Sequence, residues 1–131
     1  MKIVLAHGVF DVLHYGHLRH LQAAAKLGKL CVAVTSDANV NKGPHRPVFP
    51  AHERLEMVKA LRCVTWAGIV DNWKEALESI KPDIYVKGSD YERNLPEKSY
   101  CRRHGIEVIF TKEPSYSSTK LLHYYADRSA A

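Results

Sequence analysis

Apolar residues along this chain fall in short continuous runs separated by stretches of helical spacing. Runs at residues 3–6, 30–35, 64–70, 83–86 and 106–110 have the length of strands. Between them, residues 16–27, 52–61 and 73–80 repeat apolar positions at helical intervals, with a weaker pattern over 96–104. A last helix is expected over 118–126. Leu30-Cys31-Val32-Ala33-Val34 lacks any polar alternation, the mark of a strand covered on both faces. Strands and helices alternating in this order predict right-handed crossovers and a parallel sheet. The expected fold is α/β, a single domain over residues 1–131 with a five-stranded parallel sheet flanked by helices.

Ligands of such a sheet bind beyond the carboxyl ends of its strands, where the strand order reverses. The polar clusters of this chain lie in those loops, at residues 8–17, 36–46, 87–91 and 114–119. The first is the most informative. Gly8-Val9-Phe10-Asp11-Val12-Leu13-His14-Tyr15-Gly16-His17 joins the first strand to a helix start, where unpaired N–H groups and the helix dipole favour an anion. Gly8 and Gly16 permit close backbone approach. His14 and His17, three residues apart, can point to one spot. As metal ligands they would require a third protein ligand, and none stands out; as donors to a phosphate they need only the helix N-terminus. His20, one turn on, is expected to face solvent or a partner chain.

The other loops have paired readings. Ser36 and Asp37 end the second strand, where an acid either reaches a ribose hydroxyl or caps a turn. Lys42-Gly43-Pro44-His45-Arg46-Pro47 is either a cationic lid over a triphosphate or an ordinary exposed loop. Arg54 either serves the phosphates or makes a surface ion pair with Glu53. Lys87-Gly88-Ser89-Asp90-Tyr91 ends the fourth strand, placed to line a base or sugar pocket. Ser117-Ser118-Thr119 reads as a helix N-cap whose hydroxyls can also grip a phosphate. No serine or cysteine is visibly paired with a base, and no Walker loop is present.

Composition narrows the partners. Hydrophobic content of 46% and charged content of 25% in 131 residues are those of an ordinary globular domain. No apolar run approaches the ~20 residues that cross a bilayer, so no membrane association is expected. Met1-Lys2 leads straight into the first strand with no signal-peptide layout, which makes a cytoplasmic location the default. Cys31, Cys63 and Cys101 form neither a zinc pattern nor a disulfide framework, and Cys31 and Cys63 read as small core residues. A net charge of +5 suits a polyanion. The basic residues neither gather in a tail nor interleave with aromatics, so a phosphate-rich small substrate is favoured over nucleic acid.

With these residues assembled, the chain resembles the HxGH nucleotidyltransferase superfamily along nearly its whole length. Gly8-Val9-Phe10-Asp11 followed by His14-Tyr15-Gly16-His17 is similar to that family's first-loop motif, and Ser117-Ser118-Thr119 to its late serine/threonine motif. Within the superfamily the chain looks most like the adenylyltransferase domain that makes ADP-heptose. Lys42-Gly43-Pro44-His45-Arg46-Pro47-Val48, the following Arg54, and residues 81–91 (Lys-Pro-Asp-Ile-Tyr-Val-Lys-Gly-Ser-Asp-Tyr) carry that resemblance. Glycerol-3-phosphate cytidylyltransferase is similar in the first loop and less so in the later segments. His7 stands where the heptose enzymes tend to have asparagine, Val9 where relatives have a small or hydroxylated residue, and Ser89 replaces a second glycine. These departures bear on the acceptor.

The resemblance implies a Rossmann-like fold and the transfer of a nucleoside monophosphate, AMP favoured, from NTP to a sugar phosphate such as heptose 1-phosphate, with release of pyrophosphate. The alternatives are a CTP-dependent transfer to glycerol 3-phosphate or a related polyol phosphate, and a nucleotide-binding module without catalysis. It implies catalytic roles for His14, His17 and Lys42. It places the nucleotide against Gly8, Val9, Phe10, Gly16, Lys87, Gly88, Asp90, Ser117, Ser118 and Thr119. Asp11, Asp37, Arg46 and Arg54 are assigned to substrate or phosphate. Mg²⁺ is expected with the NTP, and a homodimer is suggested by family analogy alone.

Overall fold

The computed structural model describes residues 1–89, 95–112 and 122. Five strands, β1 (Ile3–Gly8), β2 (Lys29–Thr35), β3 (Trp66–Val70), β4 (Ile84–Gly88) and β5 (Glu107–Thr111), form one sheet in the order β3-β2-β1-β4-β5. Every pairing is parallel. The helices are α1 (Tyr15–Ala25), α2 (Ala51–Lys59), α3 (Trp73–Ile80) and α4 (Glu97–Arg103).

Alternate residues of the central strand explain the two layers. Val4 and Ala6 point into a core with Leu21 and Ala24 of α1, Val58 of α2, and Leu30, Val32 and Val34 of β2. Leu5, between them, packs on the other face with Ala76 and Leu77 of α3 and Cys101 of α4. Thus the apolar run of β1 feeds two cores at once, as its lack of alternation requires. Cys101 is the fully buried cysteine. Cys31 and Cys63, expected in the core, are only half-buried, Cys63 at the margin of the core that holds Val4 and Ala6.

The expected elements are present, with shifted ends. β1 extends two residues beyond the apolar run, to His7 and Gly8, through continued pairing with Ala33 and Val34. β3 begins at Trp66 rather than at residue 64, because Val64 still closes the turn after α2 by bonding to the Leu61 carbonyl. α1 stops at Ala25, short of residue 27. Gly28 then passes so close to the Lys2 carbonyl that any Cβ would collide with it, and Lys29 N–H bonds to that carbonyl at 2.9 Å. A short 3-10 turn, Asp37–Asn39, was not visible in the pattern. Of the helix expected over 118–126, Leu122 is among the described residues and is helical; the rest lies outside them.

β1 and β4 are where the strand order reverses. Their pairing ends at Ala6 and Val86, while β1 continues to pair with β2 as far as Gly8. The rule for open α/β sheets therefore puts the expected ligand crevice at these strand ends, by His7 and Lys87.

Candidate active site

After Gly8 the chain turns through two left-handed residues, Phe10 at φ 53° and Val12 at φ 45°. For β-branched Val12 this conformation is strained. A Cβ at Gly8 would come within 3.0 Å of the Phe10 ring, so glycine lets the ring fold back over the strand end. The Phe10 ring then lies 5.6 Å from the ring of His17. The strained turn delivers the backbone to His14 in extended conformation, as the N-cap of α1.

There the two histidines cap the helix reciprocally. His17 N–H donates to His14 Nδ1 at 3.4 Å, and His14 N–H donates to His17 Nδ1 at 3.2 Å. Their rings stack with centroids 3.8 Å apart. Each Nδ1 is an acceptor and so carries no proton, which puts the proton of each neutral ring on Nε2. Protonating either ring would place a proton on Nδ1 and break the cap. Burial, helped by His14, His20 and Lys42, lowers the His17 pKa to about 3, and burial also lowers that of His14. The helix start is thus faced with two neutral N–H donors, a pattern that binds phosphate oxygens without a net charge on either ring.

Asp11 anchors the loop that follows β2. Its carboxylate is 2% exposed and accepts from Arg46 Nε at 2.8 Å, Val48 N–H at 2.7 Å and Phe49 N–H at 3.0 Å. Burial pushes its pKa up, but the two backbone N–H groups and Arg46 outweigh it and the net shift is downward. Arg54 holds the same loop from below. It is 1% exposed, and donates to the Phe49 carbonyl at 2.9 Å, the Val9 carbonyl at 2.7 Å and Asp37 Oδ1 at 2.8 Å. The surface pair with Glu53 is therefore not formed by Arg54. Its place on α2 turns it inward, to join the first loop, the 3-10 turn and the residue-49 loop. Asp37 also accepts from the Ala51 N–H, which caps α2 from a distance because its own N-cap, Pro50, has no side-chain acceptor.

Lys42, on the exposed part of this loop, is close enough in charge to act on His17 and Lys87. Partial desolvation and Arg46 lower its own pKa. Lys87 is buried at the crevice, its Nζ donating to the His7 carbonyl at 2.9 Å and lying 5.8 Å from the Tyr85 ring. Burial lowers its pKa, against the opposing charge of Glu97, which itself accepts from Tyr85 Oη at 3.1 Å. The ammonium of Lys87 takes over where the β1–β4 ladder stops.

His20 does not face solvent as expected. Its Nδ1 lies 2.7 Å from Thr111 Oγ1, so it ties α1 to the end of β5. Its pKa falls to about 4 through burial and Lys87. Spacing along α1 placed it one turn beyond the histidine pair, but only the sheet order shows that β5 passes there.

The structure brings together the carboxyl ends of β1 and β4, the start of α1 and the Lys42 loop, with His14, His17, Lys42 and Lys87 among them. Gly8, Val9, Phe10, Gly16 and Gly88 line the same strand ends and helix start. Asp11, Arg46 and Arg54 form the internal frame of the loops. Asp90, Ser117, Ser118 and Thr119 lie outside the described residues. Among the described residues no group of three or more His, Cys, Asp or Glu side chains is arranged to hold a metal. No described helix is long and apolar enough to cross a membrane. Sequence reading gave Asp11 a role in orienting the loop or the substrate but did not identify Arg46, Val48 and Phe49 as its partners. The signal for these contacts was a lone acid in a loop otherwise suited to anions.

The profile of the cytidylyltransferase-like family matches residues 5–124, and the chain belongs to that family of nucleotidyltransferases. It is 47% identical over 129 residues to the bifunctional protein HldE of Pectobacterium carotovorum, and 38% identical over 128 residues to that of Blochmanniella floridana. These alignments cover 93% and 92% of this chain but 27% of each relative. The chain thus spans about a quarter of the length of the curated relatives it matches. Among solved structures it is similar to a lipopolysaccharide core biosynthesis protein from Thermoplasma volcanium, with a TM-score of 0.72 and 31% identity over 89% of this chain and 99% of that one. Pantothenate synthetase from Thermus thermophilus shares the fold at a TM-score of 0.61 and 14% identity, over 85% of this chain and 55% of that one.

Proposed function

We propose that this chain transfers AMP from ATP to a sugar phosphate, with heptose 1-phosphate the first candidate, and releases pyrophosphate. A phosphate oxygen of the acceptor bonds to the α-phosphorus, and the bond from that phosphorus to the bridging oxygen of the β-phosphate breaks. The oxygen carries the electron pair away on pyrophosphate. The acceptor phosphate, with a second pKa of about 6, is already mostly ionised at neutral pH. No general base is needed, and positioning and charge stabilisation remain.

The observation that carries this reading is the reciprocal cap of His14 and His17, two neutral N–H donors fixed at a helix N-terminus. They hold the α- and β-phosphate oxygens as charge builds there. Lys42 closes over the phosphates. Asp11, Arg46 and Arg54 act through the backbone, fixing the loops from which Val9 and Lys42 meet the nucleotide. Ser118 and Thr119 hold the outer phosphates, as the family motif implies. Mg²⁺ bound with the triphosphate would supply charge neutralisation. The Asp11 carboxylate already accepts three donors, so phosphate oxygens and water would hold the ion. The adenine preference and the heptose acceptor rest on the likeness to HldE and on the segments around Lys42 and Lys87.

The test is pyrophosphate release from the purified chain with ATP or CTP, each paired with heptose 1-phosphate or glycerol 3-phosphate. Turnover with ATP and heptose 1-phosphate at least tenfold above the other pairs is expected. Preference for CTP and glycerol 3-phosphate overturns the substrate assignment, and no turnover with any pair overturns the activity.

A further inference from the structure

His7 is a half-buried polar residue that the reaction described above does not use. Its Nε2 lies 3.3 Å from Thr35 Oγ1, and the Thr35 hydroxyl donates its one proton to the Gly8 carbonyl at 3.1 Å. Thr35 can therefore only accept from His7. The imidazole proton must then sit on Nε2, leaving Nδ1 as a lone-pair acceptor. Nδ1 is buried and, among the described residues, has no hydrogen-bond partner. Such a group is costly to leave unsatisfied and calls for a donor.

Its position says where that donor comes from. His7 is the first residue of β1 beyond the last rung shared with β4, at the reversal of strand order. Its own carbonyl is held by Lys87. The ring is thus pinned on one side by Thr35 and its backbone on the other by an ammonium, at the mouth of the crevice. An unprotonated nitrogen repels phosphate oxygens, so its partner is not the anion that suits the histidine pair. Burial and Lys87 hold the ring neutral down to a pKa of about 3, so the acceptor persists across the working pH range.

We propose that His7 is a specificity-determining residue whose Nδ1 accepts a hydrogen bond from a hydroxyl of the bound substrates, on the sugar of the acceptor or on the ribose of the nucleotide. The site is then divided by the polarity of its histidines. His14 and His17 present N–H groups to phosphate, and His7 presents a lone pair to a hydroxyl. This assignment rests on the nucleotidyl-transfer reading for its substrates and on the hydrogen bonds of Thr35 for its polarity.

Two substitutions separate the ring's two nitrogens. In His7→Asn the amide oxygen stands where Nδ1 stood, and the contact with Thr35 is lost. In His7→Gln the amide N–H still reaches Thr35, and the acceptor at the Nδ1 position is lost. Each is assayed for KM and kcat with ATP and heptose 1-phosphate, beside a thermal melt. His7→Gln should raise one KM by on the order of tenfold, while His7→Asn stays within about threefold of the parent. A rise in the acceptor KM identifies the sugar hydroxyl, and a rise in the ATP KM identifies the ribose. Damage to His7→Asn alone, equal damage to both, or damage to neither overturns the assignment. If the parent chain turns over no substrate pair, the function reading fails. His7 is then judged by calorimetric titration with ATP and with heptose 1-phosphate, where affinities unchanged in His7→Gln overturn its role.

Discussion

The rings of His14 and His17 stack 3.8 Å apart, and each accepts the backbone N–H of the other. A helix cap and the proposed phosphate site thus share the same two side chains. The capping bonds take up Nδ1 and orient Nε2, so the geometry that starts α1 also sets the tautomers of the proposed phosphate donors. Most N-caps use an oxygen of serine, threonine, aspartate or asparagine. Imidazoles perform the same service here and add an N–H donor on the far side of the ring.

The neutral state of these rings has a consequence for stability. His7 and His17 titrate at about 3, and His20 at about 4, in the folded chain, against 6.5 when unfolded. Between those values the unfolded chain binds more protons than the folded one, so stability falls as pH drops. The contribution is fully present above pH 6.5 and is lost progressively toward pH 3–4. Urea midpoints should be flat from pH 7 to 8 and decline steadily from pH 6.5 to 4. A midpoint rising over that acidic range would contradict neutral burial.

Activity should show a related signature. Neutral donors predict no loss of turnover as pH rises from 6.5 to 8, because no imidazolium is being discharged. The acceptor phosphate, ionising near pH 6, gives a rise with pH over the lower part of the profile. A kcat that falls with an apparent pKa near 6.5 would show that a protonated histidine is required.

Asp11 is a positioning residue by this account. In Asp11→Asn the charge that holds Arg46 is gone, and one amide N–H faces groups that are themselves donors. Breaking a buried pair of this kind costs about 3 kcal/mol. The loop from Arg46 to Phe49 should loosen and take Lys42 with it. The expected outcome is a lower urea midpoint together with a raised KM for ATP. A fully stable variant with unchanged KM would remove Asp11 from the frame.

Arg54→Lys tests the frame from its other side. A guanidinium reaches the Phe49 carbonyl, the Val9 carbonyl and Asp37 through three different nitrogens. An ammonium on a flexible stem cannot reproduce that fork. A loss of about 1–2 kcal/mol is expected from the part-buried acceptors left unsatisfied, with turnover reduced in proportion to the displacement of the Val9 loop. Denaturant unfolding and kcat measured on the same preparation check it. Stability equal to the parent would mean that these contacts contribute nothing net.

Much of this was readable in the chain. The continuous apolar run of residues 30–34 announced a doubly covered strand, and alternation with helical segments gave the parallel sheet. The spacing of His14 and His17 across a helix start predicted that the two side chains meet, and they do, because local capping joins neighbours three residues apart. What the pattern could not carry were contacts set by sheet order. His20 meets Thr111, 91 residues away, only because β5 passes beside the start of α1. Arg54 looked like a surface partner of Glu53, since helical spacing does not reveal that two loops and a turn converge on that face. The open acceptor of His7 likewise depends on which way the Thr35 hydroxyl donates, a detail no periodicity records.

The central claim is that the His14–His17 pair stabilises nucleotidyl transfer. It is tested most directly by pyrophosphate release with ATP and heptose 1-phosphate in the parent chain and in His17→Ala, with ATP affinity measured by calorimetry on both. Loss of a donor aimed at developing charge predicts a kcat lowered by about a hundredfold to a thousandfold, with ATP affinity within about tenfold. The fold should persist, because losing one capping bond costs only about 1 kcal/mol. Unchanged pyrophosphate release in His17→Ala would contradict the account.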